Sequence, residues 1–173
     1  PILRNEKKKL IDSATSYQMA YMLQGVVERG TAAKARKIGK IMGGKTGTTN
    51  NSYDSWFVGF TPDLIVGVYI GFDSPKNLGK YETGASVALP IFNDFMIEAL
   101  AETPSTPFRV PADIKFVKID RKTGKYPTSQ TARWNVLFEA FKDTDDTHSL
   151  LSNSTKRQRS KYDQADDSLM QIY

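Results

Sequence analysis

A cation, two hydroxyls and a missing side chain stand together in Gly43-Gly44-Lys45-Thr46-Gly47-Thr48-Thr49. In an extended strand, alternation puts the Thr46 and Thr48 hydroxyls on one side, where both can bind one carboxylate. Lys45 adds positive charge that holds that carboxylate and polarises nearby groups. Gly47 has no side chain, so a peptide can lie against the segment and pair with its backbone as an added strand. The Thr48 amide is placed to donate to an oxyanion. The candidate catalytic residues are therefore Lys45 and Thr48, and the candidate substrate-binding residues are Thr46, Gly47, Thr48 and Thr49. No metal site and no cofactor are expected.

Lys-Thr-Gly alone is a weak signal, because Lys122-Thr123-Gly124 repeats it. The second copy sits in a turn, where glycine supplies the positive φ that closes the bend. Its role is read as structural. The first copy also completes a rival pattern. Residues Gly39 to Thr46 fit G-x-x-x-x-G-K-[ST], the phosphate-binding loop of nucleotide-binding proteins, and the apolar stretch 64–73 ends in an aspartate that could hold magnesium. That motif needs a strand before its first glycine and a helix after its Lys-Thr. Residues 31–38 are small and basic, a poor buried strand, and 47–52 make a poor helix start.

The elements that must position the segment can be read around it. Thr15 and Gln18 fit a capping box, and Met19, Ala20, Leu23, Val26 and Val27 recur at helical spacing before Gly30, so a helix is predicted at 16–29. Residues 31–40 read as a loop. Strands are predicted at 55–60 and 64–72, joined by Thr61-Pro62-Asp63 as a hairpin. The second is apolar on both sides and is expected to be central and covered on both faces. Gly59, Gly67 and Gly71 are expected on one face, where a helix packs close. That helix is predicted at 87–100, with Pro90 in its first turn and Ala88, Ile91, Phe92, Phe95, Met96 and Ala99 as its stripe. Trp56 and Phe57 are read as core, Asp54, Asp63 and Asp73 as turn residues, and Glu82-Thr83-Gly84 as a cleft rim or a helix start. Residues 114–119 read as an isolated strand entering a turn at 120–124, and the polar stretch from 142 onward as a disordered tail.

Composition bounds the rest. The chain of 173 residues is 39% hydrophobic with a formal charge of +5. Its basic runs, at Lys7-Lys8-Lys9, 34–40 and 156–161, lack interleaved aromatics, so a nucleic-acid partner is not expected. Cysteine is absent and His148 is the sole histidine, which excludes disulfides, thiolate zinc and multi-histidine metal sites. No segment approaches the ~20 apolar residues of a membrane span. The chain does not begin with Met, and Pro1 is expected to mark a cut within a longer protein.

Residues 15–96 resemble the last stretch of the transpeptidase domain of bifunctional, class A penicillin-binding proteins. The resemblance is carried by Met22-Leu23-Gln24-Gly25-Val26-Val27-Glu28-Arg29-Gly30-Thr31-Ala32, Gly44-Lys45-Thr46-Gly47-Thr48-Thr49-Asn50 and Asp54-Ser55-Trp56-Phe57-Val58-Gly59-Phe60-Thr61-Pro62-Asp63-Leu64. Val68-Tyr69-Ile70-Gly71-Phe72-Asp73, Glu82-Thr83-Gly84-Ala85 and Ala88-Leu89-Pro90-Ile91-Phe92 complete it in the same order.

The resemblance implies an α+β, penicillin-recognising transpeptidase fold, an antiparallel sheet with helices on both faces. With the polar tail, the chain is expected to divide into 1–103 as the C-terminal portion of that domain, 104–141 as an extension and 142–173 as the tail. It implies an enzyme that cross-links D-Ala-D-Ala stem peptides of peptidoglycan through an acyl-serine and is acylated by β-lactams. A glycosyltransferase domain acting on lipid-linked precursor, and a membrane anchor upstream of Pro1, are expected in the parent protein, which would work on the outer, periplasmic side of the cytoplasmic membrane. The family's site combines Ser-x-x-Lys, Ser-x-Asn and Lys-Thr-Gly. No serine here has Lys three residues on or Asn two residues on, so the nucleophile is expected upstream. A non-catalytic β-lactam-binding or interaction module is the other reading such a fold allows.

Overall fold

Asp12, not Thr15, starts the first helix. Its carboxylate accepts from the Thr15 amide at 2.8 Å and the Thr15 hydroxyl at 2.6 Å, satisfying donors that a helix start leaves unpaired. Helix α1 therefore runs Ser13–Arg29, a turn earlier than its apolar spacing indicates. It buries Ala14, Tyr17 and Val27 and leaves Met19 exposed. The computed structural model describes residues 8–152. Those residues form two compact units, one of Met19–Arg109 and the other of the segments before and after it.

In the first unit, β1 (Gly43–Thr48), β2 (Asp54–Phe60) and β3 (Ile65–Gly71) form an antiparallel sheet in the order β1-β2-β3. The expected loop at 31–40 contains a 3-10 helix, Ala33–Ile38, that buries Ala35 and Ile38. The β2–β3 turn is held by the Thr61 hydroxyl, which accepts from the Leu64 amide at 3.2 Å, rather than by the Asp63 side chain. β2, not β3, is the central strand. Among the described residues β3 pairs only with β2, and Ile65 on it is 73% exposed.

Strand alternation explains the burial of β2. Ser55 and Phe57 face helix α2 (Leu89–Ala99) and are fully buried, whereas Trp56 and Val58 face the other way and are partly exposed. Trp56 is therefore not the core residue it was read as. Its ring lies 4.7 Å from that of Tyr69. The core joins Val27, Ile38, Met42, Phe57, Leu89, Phe92 and Met96. Phe57 and Phe92 meet edge to face with centroids 4.7 Å apart. Fully burying a phenylalanine contributes about 1.5–3 kcal/mol.

The three glycines of the hairpin do not share a face. A Cβ on Gly59 would lie 2.4 Å from the Phe92 ring, so here the missing side chain does admit the helix. Gly67 pairs with Val58 on the opposite face and meets only Val58, at 3.8 Å. A Cβ on Gly71 would meet Tyr69 and Asp54. The stripe of α2 is likewise rotated from its predicted place. Leu89, Phe92, Asn93 and Met96 are buried, while Ile91 and Phe95 are about half exposed. A π-helical turn, Gly84–Ala88, precedes the helix.

In the second unit the strand at 114–119 is not isolated. β4 (Ile114–Asp120) pairs antiparallel with β5 (Val136–Lys142) along its whole length. The stretch from 142 is ordered as far as it is described. Asp146 caps the short helix α3 (Thr147–Leu151), and Leu151 is buried. Residues 153–173, where the rest of the expected tail falls, lie outside the described residues. The Asp120 carboxyl is held below its ordinary value, chiefly by the Lys122 amide and then by the Thr131 hydroxyl. Asp12 is lowered in the same way by the Thr15 hydroxyl and amide.

Two outcomes follow from this packing. Gly59→Ala is expected to destabilise the protein by about 1–3 kcal/mol through overpacking against Phe92, with Gly67→Ala near neutral; urea unfolding compares them. Both lowered carboxylates stabilise the fold above the ordinary aspartate range and lose that contribution as pH falls through their folded values. The melting temperature of the wild type should therefore drop on acidification below about pH 4, and the drop should be shallower in Asp120→Asn.

Candidate substrate-binding strand

The register of β1 decides which of its polar groups are free. The Thr49 amide donates to the Asp54 carbonyl at 3.0 Å, a hydrogen-bonded pair. Because the two strands pair Thr48 with Ser55 and Gly47 with Trp56, hydrogen-bonded pairs recur at Gly47, Lys45 and Gly43. The N–H and C=O groups of Gly44, Thr46 and Thr48 then point away from β2. Among the described residues no other strand pairs with that edge. The Thr48 amide is thus directed outward from the sheet.

The side chains divide between the two faces. Lys45 lies opposite Val58, on the face carrying Trp56 and Tyr69, and is exposed. Its Nζ donates to the Thr46 carbonyl at 2.8 Å, which brings the cation back over the free edge. Thr46 and Thr48 share the opposite face with Phe57 and Ser55. The Thr48 hydroxyl accepts from the Gly84 amide at 3.1 Å, and the Thr46 hydroxyl lies 3.3 Å from that of Thr31. Gly47 presents no side chain, and a Cβ there would meet Trp56 Cβ at 3.2 Å. Thr49 is engaged in the turn, where its hydroxyl accepts from the Asp54 amide at 2.8 Å. The strand brings Lys45, Thr46, Gly47 and Thr48 together, with Thr49 turned toward the β1–β2 link.

Spacing gave no sign of Thr31 or of how Gly84 is used. Glu82-Thr83-Gly84 does start a helical segment, with Thr83 and Ser86 forming a reciprocal cap. It also docks on the strand. A Cβ on Gly84 would lie 2.2 Å from the Trp56 carbonyl and 2.8 Å from that of Gly47, so glycine alone fits. Residues 77–81 join this end of the sheet through the Leu78 amide, which donates to the Ser52 carbonyl at 2.9 Å, and through the Asn77 side-chain amide, which donates to the Asn51 carbonyl. Asn51, Ser52 and Tyr81 all have positive φ, at 61°, 52° and 71°. Such backbone is uncommon for non-glycine residues and gathers at functional sites.

The second Lys-Thr-Gly is a turn. The Gly124 amide donates to the Asp120 carbonyl at 2.7 Å, and Gly124 has φ of 67°. The phosphate-loop pattern fails on geometry. A 3-10 helix precedes Gly39 instead of a strand, and Lys45-Thr46 lie inside β1 instead of opening a helix. Among the described residues no helix opens at Lys45-Thr46 to hold a phosphate.

Comparison with known proteins agrees with this geometry. Residues 3–97 match the family described as the penicillin binding protein transpeptidase domain. Penicillin-binding protein 1A of Rickettsia felis is 52% identical over 134 residues, covering 78% of this chain and 16% of the relative. Penicillin-binding protein 1A of Pseudomonas aeruginosa is 40% identical over 139 residues, covering 80% and 17%. The crystal structure of penicillin-binding protein 1A from Haemophilus influenzae superposes with a TM-score of 0.68 at 28% identity, over 78% of this chain and 21% of that one. The chain thus spans about one-sixth of the curated relatives, 16% and 17% of their lengths. With its α+β, penicillin-recognising fold and its Lys-Thr-Gly strand beside a docked glycine, the chain belongs to the transpeptidase-domain family of penicillin-binding proteins.

Proposed function

We propose that this chain supplies the substrate-binding strand of a serine-acylating D,D-transpeptidase, the cross-linking part of a bifunctional peptidoglycan synthase. One observation carries the reading: the outer edge of β1 holds the Thr46 carbonyl, the Thr48 amide and the Lys45 ammonium in one row. An extended stem peptide ending in D-Ala-D-Ala pairs with that edge as a further strand. The Thr46 and Thr48 hydroxyls donate to its terminal carboxylate. Lys45 adds charge there and supports proton transfer. The Thr48 amide donates to the carbonyl oxygen that becomes the oxyanion.

The reaction needs a serine that attacks that carbonyl, releases the terminal D-Ala and passes the acyl group to an amine of another stem peptide. No serine of this sequence carries the Ser-x-x-Lys or Ser-x-Asn spacing, so the reading assigns the nucleophile to another part of the polypeptide. β-Lactams enter as mimics of the same peptide. Residues 1–103 are read as the C-terminal part of the transpeptidase domain and 104–141 as an extension of it. A glycosyltransferase domain using lipid-linked precursor and a membrane anchor belong to the same proposal, with the site on the periplasmic side. Among the described residues no helix is long and apolar enough to cross a membrane.

The two lysines separate the functional copy of the motif from the structural one. In the full-length protein Lys45→Ala should lower acylation by a labelled penicillin by on the order of 10²–10³, the scale of losing one preorganised charge-stabilising group. Lys122→Ala, in an exposed turn, should leave the rate unchanged; an equal loss in both variants would refute the assignment to β1. Intact-mass analysis of the 173-residue chain incubated with penicillin should show no covalent adduct.

A further inference from the structure

Each threonine hydroxyl of β1 is met by a second group. For Thr48 that group is the Gly84 amide, 3.1 Å away. A backbone amide can only donate, so the Thr48 oxygen accepts there and keeps its one proton for another partner. For Thr46 the group is the Thr31 hydroxyl at 3.3 Å, where either oxygen can donate. A carboxylate only accepts. When it binds Thr46 it takes the Thr46 proton, and the bond between the two threonines must then run from Thr31 to Thr46.

The backbone around Thr31 is built to hold it there. The Gly30 and Ala32 amides both donate to the Val26 carbonyl, each at 3.1 Å, and the Ala33 amide donates to the Gly30 carbonyl at 3.2 Å. Ala32 is fully buried. A Cβ on Gly30 would lie 2.9 Å from both the Cα and the carbonyl oxygen of Val26, so glycine alone lets the chain turn this tightly after α1. Thr31 is thus fixed on both sides, and its side chain reaches the strand. The separation of 3.3 Å is long for two hydroxyls.

We propose that Thr31 is a positioning residue that acts through Thr46: its hydroxyl donates to the Thr46 oxygen and so commits the Thr46 proton to the substrate carboxylate, as the Gly84 amide does for Thr48. This rests on the reading of β1 as the carboxylate-binding strand. Thr31 adds no charge and touches no reacting atom. It orients a donor, and its effect falls on ligand binding rather than on the acylation step.

The test uses the full-length protein, with benzylpenicillin and its methyl ester as probes. Thr31→Val removes the hydroxyl at nearly constant shape, and Thr31→Ala removes it with less bulk should the valine variant misfold. Loss of one such bond to an anion should raise the dissociation constant for benzylpenicillin roughly three- to tenfold. The limiting acylation constant should change by less than about twofold. The uncharged ester should also lose less than about twofold, because hydrogen bonds to ions are the stronger ones. Thr31→Ser should restore wild-type binding, and Thr31→Val should have no further effect when Thr46 is already valine. Equal loss for penicillin and ester, or equal loss with and without the Thr46 hydroxyl, would overturn the proposal. If Thr46→Val weakens penicillin binding and Thr31→Val does not, the role of Thr31 falls and the reading of the strand stands. If Thr46→Val itself changes nothing, the carboxylate-binding reading falls first.

Discussion

The pairing of β1 with β2 is the constraint on which the site depends. It sets Thr48 against Ser55 and Gly47 against Trp56, and so decides which backbone groups are spent inside the sheet and which face outward. A slip of one residue would turn the Thr48 amide into the ladder and send the threonine hydroxyls to the face now held by Lys45. The register is itself fixed by burial. Phe57 must face the core beside Phe92, and Trp56 and Val58 must then face away. The chemistry of the strand edge thus depends on a hydrophobic contact on the face that Thr46 and Thr48 share with Phe57.

The site is also assembled from pieces remote in sequence. Thr31 follows α1, the threonines lie on β1, and Gly84 opens the segment before α2. Thr31 and Gly84 each reach the strand through one hydrogen bond, and Gly84 adds a close backbone contact. Close contacts of this kind require glycine, because a single added methyl at Gly84 would overlap a carbonyl oxygen. The positive-φ residues Asn51, Ser52 and Tyr81 lie in the two loops that meet at this end of the sheet. They gather irregular backbone at this end of the sheet.

Much of this was legible in the sequence, and the failures have physical causes. The hairpin, the strand nature of Lys45-Thr46 and the turn at Gly124 were readable because alternation and turn chemistry are local. The stripe of α2 was misread because the helix carries large apolar residues on more than one side, and spacing alone does not say whether Leu89 or Ile91 and Phe95 face the core. β3 looked central from its composition, but composition reports what a strand can tolerate and not which neighbours are present. β5 was missed because its partner lies across the connection 121–135, too long for hairpin signals. The contacts of Thr31 and Gly84 were invisible because they depend on tertiary distance alone.

The meeting of Gly59 and Phe92 carries a consequence for how this sequence can vary. The two positions share one volume, since the ring occupies the space a side chain on the strand would need. Neither can grow unless the other shrinks, so substitutions here must arrive in compensating pairs or not persist. A family alignment should therefore show the strand position and the helix position changing together, a correlation that reports packing rather than catalysis. Drift in the helix behind the sheet is in this way held in check by β2.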